Sequence, residues 1–141
     1  MACGVLLLHK VNYGHNDIKP ANFLLNSDGT ARLCDYGSAL AIGSRFDITY
    51  IGVSMQYCLD EPKIAGPRLF IDKHVVNNYR FDLTCFASSL LHLLLGRTPA
   101  SLEELRNIKR DPSFASMTDN WIVKTIELCM IAHSFREVST T

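Results

Sequence analysis

Residues 15 to 35 leave the backbone few paths. The run His15-Asn16-Asp17-Ile18-Lys19-Pro20-Ala21-Asn22 cannot be regular helix, because Pro20 lacks an N–H and disfavours the helical conformation at Lys19. Phe23-Leu24-Leu25 comes next, then the turn residues Asn26-Ser27-Asp28-Gly29, then Ala31-Arg32-Leu33-Cys34. This order predicts two short strands joined by a tight turn. Antiparallel pairing brings Asn22, just before the first strand, and Asp35, just after the second, to the same end of the hairpin. With the Pro between them, Asp17 and Asn22 can both turn their side chains toward one point.

A carboxylate to accept a hydroxyl proton, an ammonium to hold a phosphate, and an amide plus a carboxylate for a hard cation are the parts that phosphoryl transfer needs. The motifs His15-Asn16-Asp17 through Asn22 and Asp35-Tyr36-Gly37 resemble those of the protein kinase superfamily, whose catalytic loop reads HRD, four residues and Asn, followed by DFG. Lys19, two residues after Asp17, resembles the serine/threonine branch. The resemblance implies an ATP- and Mg2+-dependent serine/threonine protein kinase acting on the hydroxyl of a protein substrate. It makes Asp17 the catalytic base and Lys19 the cation that steadies the transferred phosphoryl group. Asn22 and Asp35 become the magnesium ligands, Leu24 lies under the adenine ring, and His15 and Tyr36 stack as internal packing. Leu24 reads equally well as an ordinary core residue. Asn16 replaces the family's Arg, which pairs with a phosphorylated activation loop; an amide cannot supply that cation, so control by loop phosphorylation is expected to be weak or absent.

The remaining chain is read in the same frame. Residues 3–13 read as the end of a helix, with Leu8-His9 spaced before His15 as in the family. Residues 38–59 read as a surface loop in the activation segment's place (about 35–61), with Gly52, Val53, Ser54, Tyr57 and Leu59-Asp60-Glu61 standing where the family has a Gly-Thr pair, a Tyr and Ala-Pro-Glu. Ser44, Thr49, Tyr50 and Ser54 are its candidate phosphorylation sites. Residues 62–80 read as an irregular connection. Asp82 to Leu95 is predicted to be the most buried helix, stopped by Gly96, with Asp82 either its N-cap or, by resemblance, bonded to the catalytic-loop backbone. Ser101-Leu102-Glu103-Glu104 is a capping box for a short helix, and a last helix starts at Thr118 with Trp121, Ile122, Ile126, Cys129 and Met130 on one face. By resemblance, Glu61 and Arg136 form an anchoring ion pair.

Taken together, the fold class is mainly α with a short β-hairpin, resembling the large, C-terminal lobe of a kinase over residues 1–141, with the helical lobe at about 80–136. The small lobe, with its Gly-rich loop and strand Lys, is expected to lie upstream of residue 1, so the isolated chain is expected to be truncated and inactive. Its partners are then the protein substrate and that missing lobe. A pseudokinase used as a docking module, or a small-molecule phosphotransferase of related fold, are the alternatives. With 14 basic and 14 acidic residues the net charge is zero, which argues against nucleic acid or an anionic membrane as partner. The five cysteines share no metal-ligand spacing and fit reduced thiols of an intracellular protein, cytoplasmic or nuclear. No basic n-region or cleavage site marks a signal peptide, and the longest apolar stretch, 83–95, is too short to span a bilayer.

Overall fold

The structure is a computed structural model in which residues 2–47, 54–59, 74–117, 120–133 and 137–138 are described. Helix α1 (Ala2–Lys10) runs into strand β1 (Tyr13–Gly14). A loop ends in one 3-10 turn led by Pro20, and the hairpin β2 (Phe23–Leu25) and β3 (Ala31–Leu33) follows, with Phe23 opposite Leu33. Strand β4 (Leu40–Ala41) returns to pair with β1, and β5 (Arg45–Asp47) pairs with β6 (His74–Val76). Helices α2 (Met55–Cys58), α3 (Tyr79–Leu95), α4 (Leu102–Arg106) and α5 (Trp121–Ile131) follow, with 3-10 turns at Tyr36–Ser38 and Pro112–Met117.

The described residues are thus mostly helical with three two-stranded antiparallel sheets, where the sequence predicted one hairpin. The loop expected over 38–59 contains β4, β5 and α2, and the irregular stretch expected over 62–80 contains β6 and the start of α3. Tyr13, assigned to a helix end, lies in β1. Strands of two or three residues are too short to show alternation, and their pairing is decided by partners distant in sequence.

Helix α3 is the centre of the core, buried at every residue from Phe81 to Leu91 and packed chiefly against α5 and α2. It starts at Tyr79 because Asn78 is the N-cap, its side chain accepting the Arg80 N–H; Gly96 ends it with φ +72, donating its N–H to His92 O. The N-cap reading of Asp82 is therefore corrected. Helix α5 starts after Asn120, which accepts the Ile122 N–H, and buries Val123, Ile126 and Cys129. Trp121, expected on that face, is 67% exposed; it stands five residues before Ile126, off the packed stripe. Burial pushes the Cys129 thiol up to about 12, with the Arg80 guanidinium opposing. Arg80 Nη1 donates to the carbonyls of Cys129 (2.7 Å) and Ala132 (2.9 Å), closing the end of α5.

The capping box before α4 is half formed. Ser101 Oγ accepts the Glu104 N–H at 3.3 Å, but the Glu104 carboxylate turns to the Ala100 N–H (2.7 Å) and the Arg97 guanidinium (2.6 Å). The Arg97 hydrogen bond holds the Glu104 carboxyl below the usual carboxylate range, against partial burial.

Helix α1 meets the hairpin through Gly4. A Cβ on Gly4 would lie 2.8 Å from Leu33 Cβ and 3.4 Å from Leu33 Cδ2, closer than packed carbons approach. Two effects oppose each other in Gly4→Ala: higher helix propensity stabilises by about 1 kcal/mol, and overpacking costs roughly 1–3 kcal/mol. Leu33 is buried and its Cβ cannot swing aside, so the second should win. Urea unfolding should show a lower midpoint for Gly4→Ala; a higher midpoint would mean that α1 shifts freely on β3.

Candidate functional site

Asp82, although on α3, organises the loop that precedes the hairpin. Its fully buried carboxylate accepts three hydrogen bonds: Oδ2 from the His15 N–H and from His9 Nε2, Oδ1 from the Asn16 N–H, each at 2.8 Å. Paired backbone N–H groups on one carboxylate hold the loop in a sharp bend, and Asn16 takes φ +66 there, a conformation that Asn tolerates better than most residues. His15 is fully buried; Nδ1 accepts the Asp17 N–H at 3.3 Å, and Nε2 donates to Cys34 O at 3.0 Å. One neutral tautomer, Nε2–H, satisfies both bonds. The ring thereby ties the loop to the end of β3, beside Asn22.

The bend delivers Asp17 into a polar cluster. Asp17 Oδ2 accepts from Lys19 Nζ at 2.8 Å and from Asn22 Nδ2 at 3.1 Å, and Oδ1 accepts from Ser54 Oγ at 2.7 Å. Lys19 Nζ also donates to Ser54 Oγ at 2.9 Å. The Lys19 side chain is a quarter exposed and pairs with a nearly buried carboxylate. Asn22 Nδ2 donates in addition to Asp17 O at 2.8 Å. Asp17, Lys19 and Asn22 are therefore brought together.

Asp35 stands at the same end of the hairpin. Phe23 lies opposite Leu33, and Asn22 O accepts both Cys34 N–H (2.8 Å) and Cys34 Sγ–H (3.2 Å), so Asp35 is one residue beyond Asn22's partner. It is exposed, at φ +58, and its Oδ1 makes a long 3.4 Å contact with the Gly37 N–H. The carboxylate is largely uncommitted. Both Asn22 amide hydrogens are directed at Asp17, which leaves Asn22 Oδ1 as the side chain's acceptor. An amide oxygen and a free carboxylate at one end of a hairpin fit a hard divalent cation such as Mg2+, which takes few protein oxygens and completes its shell with water and phosphate.

Other expected positions fall differently. Tyr36 meets the His15 ring edge-on, centroids 5.3 Å apart, but it is 49% exposed and so is not internal packing; its hydroxyl donates to Leu33 O at 3.0 Å. Leu24 is 59% exposed, which removes the reading as an ordinary core residue. Ser54, one of the candidate phosphorylation sites of the loop, belongs to the Asp17 cluster; Gly52, two residues before it in a partly kept Gly-Thr motif, is its sequence signal. Glu61 and Arg136, with their expected ion pair, and Thr49 and Tyr50 lie outside the described residues.

The family model for the protein kinase domain matches residues 1–131. The chain belongs to the protein kinase domain family. It is 28% identical over 138 residues to rhodopsin kinase GRK7 of Ictidomys tridecemlineatus, covering 93% of this chain and 24% of that protein. It is 31% identical over 100 residues to the mitogen-activated protein kinase kinase MST7 of Pyricularia oryzae, covering 70% and 22%. Against protein kinase wis1 of Schizosaccharomyces pombe it is 28% identical over 97 residues, covering 69% and 16%. This kinase-family chain thus spans about a quarter or less of the length of these relatives. Among its described residues no helix is long and apolar enough to cross a membrane.

Proposed function

We propose that the chain carries the large-lobe half of a serine/threonine protein kinase site, with Asp17 as base toward a protein hydroxyl. The observation that supports this reading best is the Asp17–Lys19–Ser54 cluster beside an Asn22–Asp35 oxygen pair. When bound, Mg-ATP supplies the electrophilic phosphorus and much of the charge neutralisation. Asn22 and Asp35 would hold the cation, and the exposed Leu24 offers an apolar seat for the base. Asp17 accepts the substrate's hydroxyl proton at a carboxylate oxygen; Lys19, anchored on Asp17 and Ser54, keeps a positive charge where negative charge develops. Its five cysteines are free, which supports an intracellular setting.

The phosphate-covering loop that the family resemblance places upstream is not among the 141 residues, so the chain alone should bind nucleotide weakly and transfer phosphate slowly. Adding millimolar Mg-ATP to the isotope-labelled chain should shift the amide NMR signals of Leu24 and of residues 35–37. Omitting Mg2+, or Asp35→Ala, should weaken the effect. Shifts confined to other regions, or identical with and without Mg2+ in both proteins, would remove Asn22 and Asp35 as the cation site.

A further inference from the structure

Asn16 and Asn77 are both buried, and each carries an Oδ1 with no hydrogen-bond donor among the described residues. Their amide orientations are forced. Asn16 Nδ2 donates to Ser38 O at 2.9 Å, and Asn77 Nδ2 to Leu40 O at 2.8 Å and Ala41 O at 3.2 Å, so flipping either amide would set oxygen against carbonyl oxygen. Both side chains close on Gly14: a Cβ built there would lie 3.1 Å from Asn16 Oδ1 and 3.2 Å from both Asn77 amide atoms. A side chain at position 14 would crowd both amides, so glycine suits this close approach to β1. With no donor to either oxygen among the described residues, the gain from these amides comes from their N–H groups.

That gain lies in what the donors grip. All three acceptors belong to residues 38–41, and Asn77 continues the grip with its backbone, accepting the Gly43 N–H at 2.8 Å and donating to Ser44 O at 2.7 Å. Directly beyond, β5 pairs with β6. We propose that Gly14, Asn16 and Asn77 form an uncharged latch that holds residues 38–47 against the catalytic loop and the start of α3 with no phosphate group required. Backbone carbonyls replace the anion that a cationic residue at position 16 would need, and neutral amides satisfy them. Calling 38–47 the start of an activation segment, and a phosphate its alternative anchor, rests on the kinase reading; the hydrogen bonds of the latch do not.

Hydrogen exchange on the unphosphorylated chain, without nucleotide, tests the latch apart from any phosphotransferase activity. The amides of Ile42 and Gly43, bonded to Asn12 O and Asn77 O, should exchange slowly in the parent, equally in low and molar salt because no ion pair is involved. Asn77→Ala should speed exchange across 40–44 by roughly tenfold or more, from the loss of two side-chain bonds. Asn16→Gly, which keeps the positive φ and removes only the bond to Ser38, should act in the same direction. Exchange in α5 should stay as in the parent, and Asn78→Ala, which removes the neighbouring helix cap, should leave 40–44 slow. Free exchange at 40–44 in the unphosphorylated parent, collapse of protection in salt, or an effect of both variants spread evenly into α5 would overturn the latch.

Discussion

Asp82→Ala should lower the unfolding free energy by about 3–5 kcal/mol, because removing one side of a buried charged network strands the other. Asp82 is fully buried, and its loss leaves the His15 and Asn16 N–H groups and the His9 ring without their acceptor. A buried donor left unpaired costs roughly 1–3 kcal/mol by itself. For a domain of ordinary stability, about 5–15 kcal/mol, the variant stands near the edge of folding. Asp82→Asn should be nearly as damaging, since its NH2 would face a donor wherever the second carboxylate oxygen accepted one. His9→Ala in the Asp82→Ala background should cost less than in the parent, because the two side chains share one hydrogen bond, although the buried ring also packs against Tyr79. Urea unfolding checks this; an Asp82→Ala chain within about 1 kcal/mol of the parent would show that the loop bend is held by other contacts.

Asp17→Asn should lower phosphoryl transfer by about 10²–10⁴-fold, the usual contribution of a positioned general base. The substitution keeps the size of a nearly buried side chain and leaves one oxygen to accept from Ser54 or Lys19, so the fold should survive. What it removes is the basicity. Single-turnover incorporation of labelled phosphate into a generic protein substrate is the suitable measurement, because it reads the chemical step even if the turnover proposed for the isolated chain is slow. Nucleotide binding, followed by the Leu24 and Asp35 signals, should stay at the parent's level. Parental transfer in Asp17→Asn would remove Asp17 as base, while loss of nucleotide binding together with transfer would assign it a structural role.

Local chemistry made part of the fold legible in the sequence. Pro20 barred a helix, Asn26-Ser27-Asp28-Gly29 called for a turn, and Asn22 and Asp35 flanking the two apolar runs implied one shared end, because strand pairing is a short-range consequence of that order. The apolar run ending at Gly96 likewise announced its own burial. Tertiary structure decided what depends on distant partners. Asp82 reads as a helix cap in the sequence, but α3 starts at Tyr79 with Asn78 as its cap, which leaves the Asp82 carboxylate to bond residues 66 and 67 positions away. Ser54 became part of the Asp17 cluster only through a contact 37 residues long, and Asn77 gripped residues 40 and 41 from a stretch with no periodicity to announce β6. Trp121 and Leu24, apolar by type, are exposed. A sequence states which side chains avoid water in general, while packing geometry determines how many of them the core can admit and which hydrogen-bond donors meet which acceptors.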